Sequence, residues 1–166
     1  SMQGLITVES REGQGTLFNL YLPRTDSAPD AAVAEKTLPG GNEHVVVVDD
    51  DPFLTEINQT LLRGVGYRVS CYNDSRAALQ FLLDHRDEVD LVMTDLTMPK
   101  MTGLDLARRL RANRILMPVV LCTGYNEGMT EAQLRQADVQ QCLIKPITAH
   151  RITTTIRALL DRASSG

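Results

Sequence analysis

Two segments near the amino terminus alternate apolar and polar residues, which is typical of half-buried β-strands. Ile6 and Val8 share one face of the first segment, and Phe18 and Leu20 share one face of the second. Residues 11–16 separate the segments and contain two glycines, as is common in the turn between antiparallel strands. The pattern predicts a β-hairpin within residues 1–23.

The rest of the chain divides into a linker and an alternating α/β pattern. Residues 24–42 are rich in Pro, Ala, Asp and Gly and show no apolar period, which predicts a solvated linker. Within residues 43–166, short apolar runs alternate with stretches in which apolar residues recur at helical spacing. The predicted strands are 45–48, 68–71, 91–94, 119–122 and 142–144, and the weakest helix pattern covers 126–137. This alternation predicts a doubly wound α/β domain, with helices on both faces of a five-stranded parallel sheet.

Composition and charge narrow the classes of function. The 166-residue chain carries 17 Lys and Arg against 21 Asp and Glu, so we expect no nucleic acid partner. No apolar run approaches the ~20 residues that cross a bilayer, so we expect a cytoplasmic chain without membrane contact. Cys71, Cys122 and Cys142 lie in apolar stretches, which favours reduced, buried thiols over disulfides or a zinc site. The histidines, His44 among them, are expected at the surface.

Acidic residues follow two of the predicted strands. Asp49 and Asp50 come directly after the first strand, and Asp95 follows the third. Ligands of open parallel sheets bind beyond the carboxyl ends of the strands, so we expect these carboxylates to meet at one edge. Converging carboxylates repel one another unless a cation offsets their charge, and Mg²⁺ suits oxygen ligands. We expect the backbone carbonyl of Thr97 to complete the metal shell, whereas Asp51 is explained as a helix N-cap.

Two further strand ends carry groups that suit phosphoryl transfer. Asp95 ends a buried strand and faces a loop, which favours a nucleophile that attacks phosphorus and forms an acyl phosphate. Charge that develops on the phosphoryl oxygens calls for an ammonium and a hydroxyl, which Lys145 and Thr123 provide. Lys145 precedes Pro146, and we expect a cis peptide bond that turns the lysine into the site.

Four sequence blocks resemble, in order, the signature blocks of the receiver domain of two-component response regulators. They read VVVVDDDP, TDLTMPKMTG, LCTG and LIKPI, and the resemblance covers about residues 43–161. It implies a flavodoxin-like fold with strand order 2-1-3-4-5 that takes a phosphoryl group from a phosphohistidine. The implied roles are phosphoacceptor for Asp95, acidic Mg²⁺ pair for Asp49 and Asp50, switch hydroxyl for Thr123 and phosphate-binding lysine for Lys145. One block departs from the family, which usually has Tyr or Phe where Cys142 stands, and this affects the aromatic rotation by which many receivers report their state.

The amino-terminal segment is similar to the last hairpin of the ATP-binding domain of sensor histidine kinases. The similar residues are 4–10, 13–16 and 18–23. The resemblance implies the carboxyl-terminal piece of a hybrid histidine kinase, which has a kinase phosphohistidine as donor and a histidine phosphotransfer protein as a downstream partner. The residues that would hold ATP are missing from this piece, so we expect no kinase activity from it alone.

Three other functions would need different residues or a different outcome at this site. The direct alternative is a receiver-like interaction domain that binds metal and partners without turning over phosphate. A phosphatase of the haloacid-dehalogenase type would have a second acid two residues after its nucleophile, where Thr97 stands. A dinucleotide-binding oxidoreductase would need a glycine-rich turn after the first strand, where Asp49 and Asp50 stand. Asp95, Thr123 and Lys145 together favour the phosphoacceptor.

Overall fold

The computed structural model describes residues 4–23, 37–124 and 130–164, and the chain divides into two units, Ser1–Lys36 and Thr37–Gly166. Residues 24–36 of the predicted linker and residues 126–129 of the predicted fourth helix lie outside the described residues. Residues 37–42, which the sequence analysis assigns to the linker, belong to the second unit.

The first unit contains an antiparallel hairpin, as predicted. Strand β1 (Leu5–Arg11) pairs with β2 (Gly15–Tyr21) through a three-residue turn in which Gly13 has a φ of 73°. Glycine adopts this left-handed conformation without the steric cost that other residues incur. Four apolar side chains form one face and are more than half exposed: Ile6, Val8, Phe18 and Leu20. Exposed apolar faces of this kind are unusual in a hairpin of only two strands, which is marginally stable alone.

The second unit alternates strands and helices throughout its length. Its elements are β3 (His44–Val48), α1 (Pro52–Gly64), β4 (Arg68–Tyr72), α2 (Ser75–Asp84), β5 (Leu91–Asp95), α3 (Gly103–Ala112), β6 (Val119–Thr123), α4 (Glu131–Gln136), β7 (Gln141–Ile144) and α5 (Ala149–Ala163). The strands form one parallel sheet in the order β4-β3-β5-β6-β7, which is 2-1-3-4-5 when counted within this unit. The structure confirms the predicted doubly wound fold, and each predicted strand agrees to within one residue at either end.

Helices cover both faces of the sheet, and each face has its own core. Helices α1 and α5 pack with Val45 and Val47 on one face. Helices α2, α3 and α4 pack with Val46 and Val48 on the other. Every residue of β3, β5 and β6 is buried, because strands covered on both sides can expose neither set of side chains. This double burial explains why these strands have continuous apolar sequences.

The expectation that His44 lies at the surface is wrong. Its side chain is buried, and its two ring nitrogens lie 3.0 Å from the carbonyl oxygen of Glu88 and 2.8 Å from Oγ of Ser70. The backbone N–H of His44 donates to the carboxylate of Asp90 at 2.7 Å. His44 begins β3, which lies between β4 and β5, and its ring is therefore placed between Ser70 of β4 and the loop that precedes β5.

The carboxyl ends of the strands lead into helices that begin with side-chain caps. Asp51 accepts a hydrogen bond from the backbone of residue 53 at the start of α1, as predicted, and Asp74 caps α2. Thr102 caps α3 by accepting from the N–H of Asp105. These caps fix the loops at one edge of the sheet. In the part of the chain that the structure describes, no helix is long and apolar enough to cross a membrane.

Candidate phosphoacceptor site

Three of the residues selected from the sequence meet at the carboxyl edge of the sheet. The Lys145 Nζ atom lies 2.6 Å from Asp95 Oδ1 and 3.1 Å from Asp49 Oδ2. Both aspartates are more than nine-tenths buried, whereas the lysine side chain remains one-third exposed. The three groups form one compact ionic cluster with two carboxylates and a single ammonium.

The order of the strands accounts for this meeting. Asp49 directly follows β3, Asp95 ends the neighbouring β5, and Lys145 directly follows β7. The backbone N–H of Lys145 donates to the carbonyl of Thr123 at 2.8 Å, which ties the lysine to the end of β6. The Lys145–Pro146 peptide bond is cis, as predicted. Residues that are 50 or 96 positions apart in the sequence are thus brought into contact by parallel pairing.

Backbone donors hold the second oxygen of each carboxylate. The N–H of Thr97 donates to Asp95 Oδ2 at 2.7 Å, and the N–H of Asp51 donates to Asp49 Oδ1 at 3.0 Å. Each carboxylate is therefore fixed at both oxygens, by Lys145 on one and by its own loop on the other. Such fixed positions reduce the reorganisation that a reaction at these atoms would need.

Burial and pairing act in opposite directions on the pKa values of the cluster. Burial raises the pKa of the Asp95 carboxyl above its ordinary value, and the hydrogen bond from Lys145 offsets only part of this rise. For Lys145, burial alone would lower the pKa, but the hydrogen bonds to Asp95 and Asp49 raise it overall. The ammonium is therefore firmly protonated, and it balances one of the two buried negative charges.

Thr123 lies beside the cluster at the end of β6. Its neighbour Cys122 pairs with Asp95 across the sheet, and the buried Thr123 hydroxyl donates to the carbonyl of Gly124 at 3.1 Å. The Thr123 carbonyl accepts the N–H of Lys145, so Thr123 and Lys145 share one local arrangement. The hydroxyl is thus on the strand adjacent to the phosphoacceptor candidate.

The proposed metal ligands are only partly assembled. Asp49 and Asp95 each place one oxygen on the Lys145 ammonium, at 3.1 and 2.6 Å. Asp50 follows Asp49 with an exposed side chain, and Thr97 contributes its N–H to Asp95. Over residues 4–23, 37–124 and 130–164, no group of three His, Cys, Asp or Glu side chains is arranged to hold a metal ion. The candidate donors are hard oxygen atoms of the kind that Mg²⁺ prefers, and the carboxylates of Asp49 and Asp95 lie close together.

Sequence reasoning missed several residues that shape this edge. Asn73 donates from Nδ2 to the carbonyl of Asp49 at 2.8 Å and to Oγ1 of the buried Thr55 at 3.1 Å. Lys100, whose φ of 69° is left-handed, places its ammonium 2.6 Å from Asp74 and so links the β5–α3 loop to the start of α2. Asn73 could have been found, because it follows β4 at the same edge of the sheet. No feature of the sequence indicates that the side chain of Lys100 reaches Asp74.

The cysteines take no part in the ionic cluster. No disulfide bond joins Cys71, Cys122 and Cys142, and burial raises the pKa of Cys122 to about 12. Cys142, which occupies the position usually held by Tyr or Phe in the family, is half-buried and packs against the core beneath α2, α3 and α4. The absence of an aromatic side chain at this position is therefore accommodated by ordinary core packing.

The fold and the carboxyl-edge cluster define a flavodoxin-like α/β domain with two aspartates and a lysine at the carboxyl edge of its sheet. The family model for the response regulator receiver domain matches residues 45–157, and the chain belongs to this family. The solved receiver domain from Clostridium thermocellum superimposes with a TM-score of 0.70 at 24% identity, over 74% of this chain and 97% of that one. A CheY-like receiver domain protein from Methanospirillum hungatei gives a TM-score of 0.68 at 22% identity, over 76% and 100% of the two chains.

The proteins to which the chain is similar in sequence include sensor kinases. The chain is 30% identical over 169 residues to sensor kinase CckA of Brucella abortus, covering 96% of this chain and 18% of that protein. It is 29% identical over 165 residues to the aerobic respiration control sensor protein ArcB of Escherichia coli, covering 97% of this chain and 21% of that protein. The chain therefore spans about a fifth of the length of these relatives. The similarity confirms the predicted resemblance to receiver domains of hybrid sensor kinases.

Proposed function

We propose that Asp95 accepts a phosphoryl group from the phosphohistidine of a histidine kinase, in the presence of Mg²⁺. The buried Asp95 carboxylate, held 2.6 Å from the Lys145 ammonium at the edge where the strands end, is the observation that carries the proposal. The membership of the chain in the receiver family supports it.

Each residue of the cluster has a distinct part in this transfer. A carboxylate oxygen of Asp95 forms a bond to phosphorus while the bond from phosphorus to the donor breaks and its electron pair leaves with the donor. The Lys145 ammonium then pairs with the phosphoryl oxygens, and the Thr123 hydroxyl donates to the phosphorylated state. The N–H of Thr97 keeps the carboxylate oriented in the resting state.

Asp49, Asp50, Asp95 and the carbonyl of Thr97 would hold Mg²⁺. When bound, the ion neutralises negative charge on the transferring phosphoryl group. The convergence of Asp49 and Asp95 on one cation supports this ligand set. Because the two carboxylates repel each other when Lys145 turns toward phosphate, a cation at this edge also offsets that repulsion.

The partners follow from the chemistry of the transfer. The donor is a phosphohistidine domain of a histidine kinase, and the phosphoryl group either switches a partner-binding surface or passes to a histidine phosphotransfer protein. We place the reaction in the cytoplasm. The names of CckA and ArcB, both sensor proteins, support a role in phosphorelay signalling.

The hairpin of β1 and β2 is assigned in this proposal to the ATP-binding domain of the same kinase. Residues 1–23 would be its last strands, residues 24–42 a linker and residues 43–166 the receiver. The apolar face of Ile6, Val8, Phe18 and Leu20 supports the assignment, since each of these side chains is more than half exposed and contiguous apolar patches often mark interaction surfaces. Amide hydrogen exchange tests it: the hairpin should gain protection in a longer chain that contains the upstream domain, and unchanged exchange would contradict it.

The experiment that tests the transfer is a mass measurement on the intact chain. Incubation with acetyl phosphate and Mg²⁺ should add one phosphoryl group, and both Asp95→Asn and removal of the metal with a chelator should prevent the addition. Asp87→Asn, at an exposed position in the α2–β5 loop, is the matched control and should label normally. Labelling that survives in Asp95→Asn would move the nucleophile elsewhere. No labelling of the unmodified chain would favour the alternative, a receiver-like interaction domain that does not turn over phosphate.

A further inference from the structure

A cavity extends from the ionic cluster into the space between α1 and α5. Its volume is about 290 Å³, and Asp49, Asp95 and Lys145 line its charged end. Apolar side chains form its walls: Leu54 and Ile57 from α1, Pro146 and Ile147 from the β7–α5 turn, and Ile152 from α5. Water and a phosphoryl group are polar, so contact with them alone does not require apolar walls of this kind.

The position of the cavity indicates what occupies it. A phosphodonor must bring its phosphorus within bonding distance of Asp95 and its phosphoryl oxygens close to Lys145, and both residues line this cavity. The leaving group is attached to phosphorus through a single atom, so it stays within a few bond lengths of Asp95 and Lys145 and can reach the adjoining space. The walls there are mainly apolar, and an apolar leaving group would lose contact with water on entering.

The cavity is large enough for an aromatic ring. A cavity of about 150 Å³ lined by aliphatic side chains is sufficient to bind benzene in another protein. The Ile57 side chain is 47% exposed to solvent, so the wall on α1 can be reached by a ligand that arrives from solvent. Phe53, on the same helix, is 67% exposed but does not line the cavity.

We infer that the chain discriminates among small phosphodonors by their leaving groups, and that the cavity between α1 and α5 receives the aromatic group of an aroyl phosphate. The inference rests on the proposed function, because it concerns the donor of the same transfer. In the reaction with benzoyl phosphate, an Asp95 oxygen forms the new bond to phosphorus as the bond between phosphorus and the acyl oxygen breaks. The electron pair leaves on that oxygen, which produces benzoate and aspartyl phosphate without a net proton transfer.

Labelling kinetics with two donors test the inference. The second-order rate constants for benzoyl phosphate and acetyl phosphate are measured by intact mass at fixed Mg²⁺, and their ratio is compared between variants so that intrinsic donor reactivity cancels. Ile57→Ala should lower the benzoyl-to-acetyl ratio about threefold, since about one methylene equivalent of apolar contact with the ring is lost. Leu54→Ala should lower it in the same direction. Phe53→Ala, the matched control, should leave the ratio unchanged.

The outcomes separate the inference from the proposed function. If neither donor labels Asp95, the proposed function fails. If both donors label Asp95 but Ile57→Ala and Leu54→Ala leave the ratio unchanged, the phosphoacceptor stands and the inference is overturned. A ratio that falls equally in Phe53→Ala also overturns it, because the effect would then come from α1 in general rather than from the cavity. Methyl NMR of Ile57 and Ile147 with phenylphosphonate, against methylphosphonate as control, provides a second measurement: selective shifts support the inference, and equal shifts contradict it.

Discussion

Asp95 is buried on a strand, and in the proposed transfer it has to carry a negative charge in order to act as a nucleophile. The Lys145 ammonium, 2.6 Å from Asp95, supplies the compensating charge. It also pairs with Asp49 at 3.1 Å, so its single charge is shared between two carboxylates. Burial therefore dominates, and the pKa of Asp95 lies above its ordinary value of 3.8. A carboxyl with a raised pKa lowers the stability of the folded state once it is ionised, because the unfolded chain holds the same charge in water. The ionised Asp95 carboxylate therefore lowers the stability of the fold.

Replacement of Asp95 by asparagine should stabilise the chain. Asp95→Asn removes the buried charge but keeps a similar shape, and Lys145 retains Asp49, so we expect the free energy of unfolding at neutral pH to rise by about 1 kcal/mol. The penalty in the unmodified chain is absent below pH 3.8 and grows as the pH rises through the folded-state pKa. Urea unfolding of both chains between pH 5 and pH 8, without metal, measures the difference, and a less stable Asp95→Asn chain would contradict the argument.

The residues of the cluster differ in how readily the sequence reveals them. Asp49, Asp95 and Lys145 could be located because each follows a buried strand, and the ends of parallel strands must share an edge. Asn73 follows β4 and could be located in the same way, whereas Lys100 acts through the reach of its side chain across a loop, which no periodicity indicates. The prediction that His44 is exposed is wrong because the sequence around the start of a strand does not show whether that strand is central or at an edge of the sheet. These distinctions depend on strand order, which only the folded chain fixes.

Helix α3 must begin close to the end of β5 for the site to form. A Cβ atom at Gly103 would collide with the carbonyl oxygen of Asp95 and approach Leu121 Cδ2 to 2.8 Å. The N–H of Gly103 donates to the carbonyl of Leu96 at 2.9 Å, so the helix and the loop after Asp95 are held together at this point. The glycine is required here by the close approach of two backbones rather than by a left-handed conformation.

A side chain at this position should disturb both the fold and the site. Gly103→Ala should lower the free energy of unfolding by about 2 kcal/mol, the typical cost of overpacking a buried contact, and should slow the labelling of Asp95 by displacing its backbone. Gly64→Ala at the end of α1 is the matched control, because nothing lies within 4 Å of a Cβ there. The control should be neutral or gain up to ~1 kcal/mol from helix propensity. Equal stability of the two variants would show that the backbone at Gly103 shifts easily.

The whole molecule shows which parts of the architecture the sequence pattern could specify. The five strands were predictable, and so was the double burial of β3, β5 and β6, because strands covered on both faces have continuous apolar sequences that the helix patterns separate. Residues 37–42 resemble a linker in composition, yet they belong to the second unit, where Gly41 donates its N–H to the carbonyl of Val65 at 3.2 Å. Composition describes a segment by itself and does not report the surface on which it packs. The boundary between the linker and the receiver domain at residue 43 remains a prediction.

Arg157 connects the start of this unit with its last helix and should be needed for stability. Its guanidinium lies 2.7 Å from the Glu43 carboxylate, 2.8 Å from Asp161 and 3.5 Å from the carbonyl of Gly40. The other oxygen of Glu43 is buried, and within the described residues it has no hydrogen-bond partner. Glu43 therefore depends on Arg157 for its compensation, and the hydrogen bond from Arg157 lowers the pKa of Glu43 below its ordinary value of 4.5.

Arg157→Lys keeps the positive charge but has a single ammonium, which cannot reach Glu43, Asp161 and the Gly40 carbonyl at once. We expect the free energy of unfolding to fall by about 1 to 2 kcal/mol at neutral pH, as measured by urea unfolding. Because the folded-state pKa of Glu43 is lowered, its stabilising contribution is fully present above pH 4.5 and is lost as the pH falls through the folded-state value, so the difference between the two chains should shrink on acidification. Arg162→Lys, at an exposed position on the same helix, is the control and should unfold like the unmodified chain. A difference that persisted after Glu43 was protonated would show that Arg157 stabilises the unit through its contacts with Gly40 and Asp161 rather than through the ion pair that joins α5 to the beginning of the sheet.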